Sequence, residues 1–363
     1  MENTSQFHFD NFTDGDRNSD VVWTDFKTSP ESSGVLEGIP YYHRVIVASV
    51  LILLILIGLL GNTIVIITVV AAKKLRTTTN ILVVNLAFAD LMTCICIPFN
   101  VVALLSQTNE YPLPDFICAT ISGVTTSCIC CSASTLAAIA VVRWYVITRS
   151  VRGQQGIHTA KKITLVVAIL WIGSAASMVI PPFLGIGTLG YSEFYSLCFT
   201  TDTNPFEVCY AIIQGVSIVI VLAVTMVFYF LILYHILQHN KRFRDRYEAD
   251  KTSDEAQGQD SSPSSVSRPP MIKAINRKEI KITKNLFIVV CIFIFCFLPT
   301  GVNLIIPGRS VYTLYSTMVV LANSVVNPIV YGLRHPNFQE VFQEHPLLQV
   351  FRGGVIKSKV NKS

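Results

Sequence analysis

Asp90 has the most unusual chemical setting in this sequence. It is the one charged side chain in the apolar run 79–105. A carboxylate inside such a run is costly unless it faces a protein interior and finds partners there. Oxygen-bearing residues fall at similar depth in other apolar runs: Ser132, Asn323, Ser324 and Asn327. Together with Asp90 they offer carboxylate, hydroxyl and amide oxygens, the donor set of a small hard cation such as Na⁺. The same side chains could equally close a dry hydrogen-bond network. Neither arrangement requires a cofactor.

Patterns for hydrolytic or covalent chemistry are missing. There is no HExxH, no GxSxG and no pair of aspartates within the apolar runs, so an enzyme is not expected. A transporter or channel would show an internal repeat or several charges at membrane depth, whereas no repeat is evident and Asp90 stands alone. No nucleic-acid partner is expected. Of the ten cysteines, Cys118 and Cys198 stand apart, because one opens an apolar run and the other lies in a long connection on the same side. Joining them would pin that connection over the mouth of a bundle, closing a loop worth about 4 kcal/mol in the chain-entropy model. The remaining cysteines read as small packing residues.

These groups need long membrane helices to hold them. The chain is 51% hydrophobic and 14% charged, with a mean hydropathy of +0.52, too apolar for a water-soluble protein of this length. Seven runs are long enough to span a bilayer, near 44–70, 79–105, 115–148, 161–183, 207–238, 276–306 and 312–333. The third is the pillar of the reading. From Cys118 to Arg143 it covers roughly 37 Å at ~1.5 Å per residue, a full bilayer between a cysteine and a cation. The expected fold is an all-α membrane protein, a seven-helix transmembrane bundle.

Charge placement supplies the orientation. With the amino terminus outside, the inner segments hold 24 of the 28 Lys and Arg, leaving Arg17, Lys27, Arg44 and Arg309 outside. Residues 1–43 form an extracellular disordered segment with sequons at Asn3 and Asn11, and lack the regions of a signal peptide. The membrane-spanning body, 44–345, contains an inner loop at 240–276 rich in charge, Ser, Gln and Pro that reads as disordered. Residues 346–363 are a cytoplasmic tail. Phe338, Val341 and Phe342 recur at helical spacing just before it, which suits a short amphipathic eighth helix lying on membrane lipid. Pro299 and Pro328 sit inside the sixth and seventh runs, where each removes a backbone bond and makes a hinge.

Several motifs occur one per span: GNTIV at 61–65, LAFAD at 86–90, Cys118 and Arg143 at the two ends of the third span, Trp171, FIFCFLP at 293–299 and NPIVY at 327–331. In this order they resemble the rhodopsin-like, or class A, G-protein-coupled receptors, with a looser similarity to the melatonin receptors and related orphan receptors. The resemblance implies a disulfide between Cys118 and Cys198, and an allosteric Na⁺ pocket of Asp90, Ser132, Asn323, Ser324 and Asn327. It makes Arg143 the contact to a heterotrimeric G protein when the sixth helix moves out, and Glu279 the acid that restrains it. Tyr229 and Tyr331 would swing inward on activation, while Phe293 and Phe297 flank the sixth-helix hinge. Arrestin and receptor kinases are further partners of the family.

The sequence departs from the family pattern at several places. Val142 replaces the acid that usually precedes the arginine, Trp144 follows it, Phe297 stands in place of tryptophan, and the fifth span has no proline, with Val221 at the expected position. Loss of the neighbouring acid implies raised ligand-free signalling, or else a non-coupling decoy receptor. Thr125 stands where amine receptors place Asp, and Leu321 where opsins attach retinal, which argues against both ligands. The expected pocket groups are Asn100, Thr125, Gln214, Ser217, Asn303 and Thr317, with Ile129 among their aliphatic neighbours. They favour a neutral or amphipathic extracellular small molecule, or a peptide whose charges meet an acidic rim at Glu110, Glu193, Asp202 and Glu207.

Overall fold

The computed structural model describes residues 38–108, 110–150, 159–201, 203–256, 277–305 and 310–334, with 338 and 341; at 149–150, 240, 243–244, 246–256, 277–286 and 331–334 it describes the backbone alone. The chain order is α1 (Tyr41–Ala71), α2 (Thr78–Leu105), α3 (Asp115–Ser150), α4 (Ala160–Phe183), β1 (Leu189–Ser192), β2 (Leu197–Thr200), α5 (Glu207–Ala256), α6 (Arg277–Ile305) and α7 (Val311–Arg334). Seven of these helices are long and apolar enough to cross a membrane, so the chain is a multi-pass membrane protein.

Burial ranks the helices. In the most apolar stretches of α2 and α3, 61% of residues are buried, against 17% in α4. The pillar read from the sequence therefore lies inside the bundle, while α4 faces its surroundings. Leu165, Ile169 and Ile172 of α4 and Phe230, Leu233 and Leu237 of α5 are exposed large apolar residues, as expected for surfaces that meet lipid. One apolar core joins Leu82 and Leu86 of α2, Ile139 of α3 and Phe293 and Phe297 of α6. Phe338 and Val341 are helical and belong to the same core. The rest of the expected eighth helix lies outside the described residues, as do the sequons at Asn3 and Asn11.

Two prolines within the helices leave carbonyls that other helices satisfy. Pro328 has no N–H, so the carbonyl four residues earlier, at Ser324, loses its helical donor. Asn62 of α1 replaces it, its Nδ2 donating to Ser324 O at 2.9 Å. The neighbouring Gly61 lets the backbone come close, since a Cβ there would stand 2.8 Å from Pro328 Cγ. Pro182 in α4 likewise frees the Met178 carbonyl, which accepts from the Tyr210 hydroxyl of α5 at 2.7 Å. A second close approach joins α5 to α6. A Cβ on Gly215 would meet Gly301 O at 3.0 Å and Ile305 Cγ1 at 2.8 Å, so these helices touch almost backbone to backbone.

Two features differ from the sequence expectation. First, α5 continues to Ala256, well past the start of the loop expected at 240. The apolar period ends near 238, but opposite charges then recur four residues apart at Lys241 and Asp245, Arg244 and Glu248, and Arg246 and Asp250. That spacing supports a solvated helix without an apolar face. Residues 257–276 of that loop lie outside the described residues. Second, the connection between α4 and α5 folds into a small antiparallel hairpin, with Leu189 opposite Thr200 and Tyr191 opposite Cys198.

Candidate functional site

Cys118 and Cys198 form a disulfide across 80 residues of chain, fixing β2 to the start of α3. The hairpin is held at further points. Cys198 N donates to Asn100 Oδ1 of α2 at 2.9 Å, and the Ser122 hydroxyl of α3 donates to Phe199 O. Arg44 Nη1 of α1 bridges Ser196 Oγ at 2.8 Å and Ser106 O at 3.1 Å, gripping the hairpin turn where Ser196 takes a positive φ of 52°. Beneath the hairpin lies a cavity of about 120 Å³.

All seven residues singled out from the sequence as pocket candidates line this cavity: Asn100, Thr125, Ile129, Gln214, Ser217, Asn303 and Thr317. Their polar atoms are used in different ways. Asn303 Nδ2 pairs with Thr313 Oγ1 at 3.1 Å and so ties α6 to α7. The Thr125 hydroxyl is enclosed by protein without a hydrogen-bond partner among the described residues. No Asp, Glu, Lys, Arg or His is among the described lining residues. At the floor, Phe293 and Phe297 stack obliquely with centroids 4.5 Å apart, and both touch the cavity. Leu321 lines it from α7.

Deeper in the bundle, Asp90 is fully buried. Its Oδ1 accepts from Ser132 Oγ at 2.8 Å and its Oδ2 from Asn327 Nδ2 at 2.7 Å. The Ser324 side chain lies close to the same carboxylate. The structure thus brings α2, α3 and α7 together around one carboxylate. Asn323 is buried close by in the chain, and the amide oxygens Asn323 Oδ1 and Asn327 Oδ1 are enclosed without a protein donor. Enclosed electron-rich oxygens beside a carboxylate fit a small hard cation.

A second polar cluster was not assigned from the sequence. Asn85 Nδ2 of α2 donates to Thr135 Oγ1 of α3 at 2.8 Å, and Trp171 Nε1 of α4 donates to Asn85 Oδ1 at 2.8 Å. One carboxamide therefore joins three helices. The available signal was an Asn and a Trp within apolar spans, each needing a partner.

At the opposite end, half-buried Arg143 is followed by Trp144, whose ring meets Phe228 of α5 edge-on at 5.6 Å. Ile147 packs with Ile232 and Ile236 of α5. Tyr229 is buried, with its ring 6.4 Å from Phe287 of α6. Val142 packs against the main apolar core. Pro299 and Pro328 lie within α6 and α7 as expected. Glu279 and Tyr331 occupy helical backbone in α6 and α7, and their side chains lie outside the described residues.

Residues 61–331 match the family model described as 7 transmembrane receptor (rhodopsin family). The chain is 27% identical over 281 residues to "Rhodopsin, GQ-coupled" of Mizuhopecten yessoensis, covering 74% of this chain and 53% of that protein. It thus spans about half the length of that relative. It is 26% identical to the lateral eye opsin of Limulus polyphemus, over 74% of this chain and 70% of that one. Identity to growth hormone secretagogue receptor type 1 of Mustela putorius furo is 25%, over 72% of this chain and 69% of that one. Squid rhodopsin shares the fold, with a TM-score of 0.70 over 89% of this chain and 90% of that one at 18% identity.

Proposed function

The chain belongs to the rhodopsin family of seven-transmembrane receptors, and from that premise we propose that it is a plasma-membrane receptor that converts binding of an uncharged extracellular ligand into activation of a heterotrimeric G protein. Its amino terminus and disulfide lie outside the cell, and the Arg143 end faces the cytoplasm. Arrestin and receptor kinases are its further cytoplasmic partners.

One observation carries the reading. The cavity has uncharged walls among the described residues, and its floor is Phe293 and Phe297, which lie six and two residues before the hinge at Pro299. A ligand entering the cavity presses on the helix that must move. An uncharged wall disfavours a protonated amine, which would lose hydration without gaining a counter-charge. Retinal held as a Schiff base is disfavoured as well, because Leu321 faces the cavity and no lysine is among its described lining residues. At about 120 Å³ the cavity is smaller than the ~300 Å³ at the lower end of ligand pockets. It therefore takes a compact molecule or one side chain of a peptide, or it widens on binding.

The carboxylate cluster is the second functional element. Asp90, Ser132, Asn323, Ser324 and Asn327 would hold Na⁺ as an allosteric ion, and its charge would favour the resting packing of α2, α3 and α7.

Nucleotide exchange on G proteins tests the coupling. Gq is the first to assay, because the Mizuhopecten relative is named as Gq-coupled. Ligand-free exchange above background is expected, together with its loss in Arg143→Ala at equal surface expression. Val142 beside Arg143 favours one other reading, a decoy that binds without coupling. No Arg143-dependent exchange on any G protein, with surface expression confirmed and ligand supplied, would favour the decoy.

A further inference from the structure

The cavity wall is largely apolar, and five of its hydroxyls have committed their hydrogens to main-chain carbonyls. The Ser217 hydroxyl donates to Ile213 O at 2.8 Å, Thr317 to Thr313 O at 2.9 Å and Thr300 to Ser316 O at 3.0 Å. Thr126 donates to Ser122 O at 2.8 Å, and Ser122 to Phe199 O. Each hydroxyl has one hydrogen. Once that hydrogen is committed to a main-chain carbonyl, only oxygen lone pairs remain for a ligand.

Gln214 extends the pattern through a chain of fixed protons. Pro182 leaves the Met178 carbonyl without a helical donor, and the Tyr210 hydroxyl supplies one at 2.7 Å. With its hydrogen so used, the Tyr210 oxygen can only accept. Gln214 lies close to that oxygen one turn along α5, and its Nε2 is enclosed by protein on that side without reaching hydrogen-bonding geometry. The polar atom of Gln214 on the cavity side is therefore its carbonyl oxygen, Oε1. Asn100, across the cavity, has the opposite polarity, since its Oδ1 accepts from Cys198 N and its Nδ2 is left to donate.

We propose that the cavity selects an uncharged compound carrying a hydrogen-bond donor, an O–H or N–H that points at Gln214 Oε1, on a compact apolar body. The inference rests on reading this cavity as the receptor's ligand site. An ammonium group is a donor too, but no carboxylate lines the cavity among the described residues to offset its lost hydration. Tyr210 is a positioning residue. It touches no ligand, but fixes which end of the Gln214 carboxamide faces the cavity.

The test uses three probes of one shape: 5-indanol, a neutral donor; 5-methoxyindane, which accepts only; and indane, which does neither. Binding to the full chain in detergent, disulfide intact, is measured by ligand-observed NMR. The wild type is expected to hold 5-indanol roughly five-fold or more tighter than the other two. Gln214→Leu should abolish the difference. Tyr210→Phe should shrink it while leaving indane affinity unchanged, a result that general loosening of the site would not give. Equal affinities in the wild type, preference for the ether, binding of none of the three, or a donor preference that survives Gln214→Leu would each overturn the proposal. The wild-type comparison stands by itself if a variant misfolds. The coupling assay fails separately: donor preference without Arg143-dependent exchange sinks the receptor reading of the signal and leaves this one, and the converse result sinks only this one.

Discussion

Val142 packs against the apolar core immediately beside Arg143, at the position where the resemblance leads one to expect a carboxylate. An acid there would form a charge-assisted contact with the arginine in the resting state, worth ~1–3 kcal/mol. Val142→Asp should therefore lower ligand-free nucleotide exchange by roughly ten-fold, and unchanged exchange at equal expression would refute the role. Asp90 offers a second residue-level test. If its cluster holds Na⁺, NaCl should stabilise the protein against heat relative to equimolar choline chloride by about 1 kcal/mol at a few times the dissociation constant. Asp90→Asn should erase that difference, measured as a shift in unfolding temperature. The members of this cluster were legible in the sequence because ionisable and amide side chains are rare in apolar spans. The direction of a hydroxyl or an amide was not legible. Thr125 lines the cavity, for example, with its hydroxyl enclosed by protein, a matter of rotamer that residue type does not determine.

At the scale of helices, the spans followed from hydropathy and the hinges from Pro299 and Pro328, since a bilayer demands closed backbone hydrogen bonding over a fixed length. What did not follow was how the carbonyls freed by proline would be satisfied. The structure answers with side chains from neighbouring helices: Asn62 for Ser324, and Tyr210 for Met178. Asn62→Ala should leave the Ser324 carbonyl buried without a donor and open space beside Pro328. The expected cost is ~1–3 kcal/mol, seen as a lower unfolding temperature with the helical circular-dichroism signal retained before melting. The hairpin was missed for a different reason. Its strands are four residues each, too short for an alternating pattern to emerge, and the disulfide and Asn100 contribute to its register. The extension of α5 to Ala256 was missed because an amphipathic period was sought where charge pairs alone support the helix.

Over the whole molecule, the disulfide ties the hairpin to α3 and so roofs the cavity. Closing a loop of 80 residues contributes about 4 kcal/mol in the chain-entropy model. Cys118→Ala should lower the unfolding temperature and speed dissociation of any compound held beneath the hairpin, measured by off-rate against the intact protein. The close contact of Gly215 with Gly301 bears on the other end of the bundle. If that contact is a fulcrum, α6 is a lever with unequal arms. Phe297 lies four residues from Gly301 and Arg277 lies twenty-four, arms of roughly 6 Å and 36 Å. A shift of about 1 Å at the aromatic floor then becomes about 6 Å at Arg277, more than one helical turn. The same ratio works in reverse: a contact that grips α6 near Arg277 opposes a push at the floor with only about one sixth of the force, held over a path about six times as long.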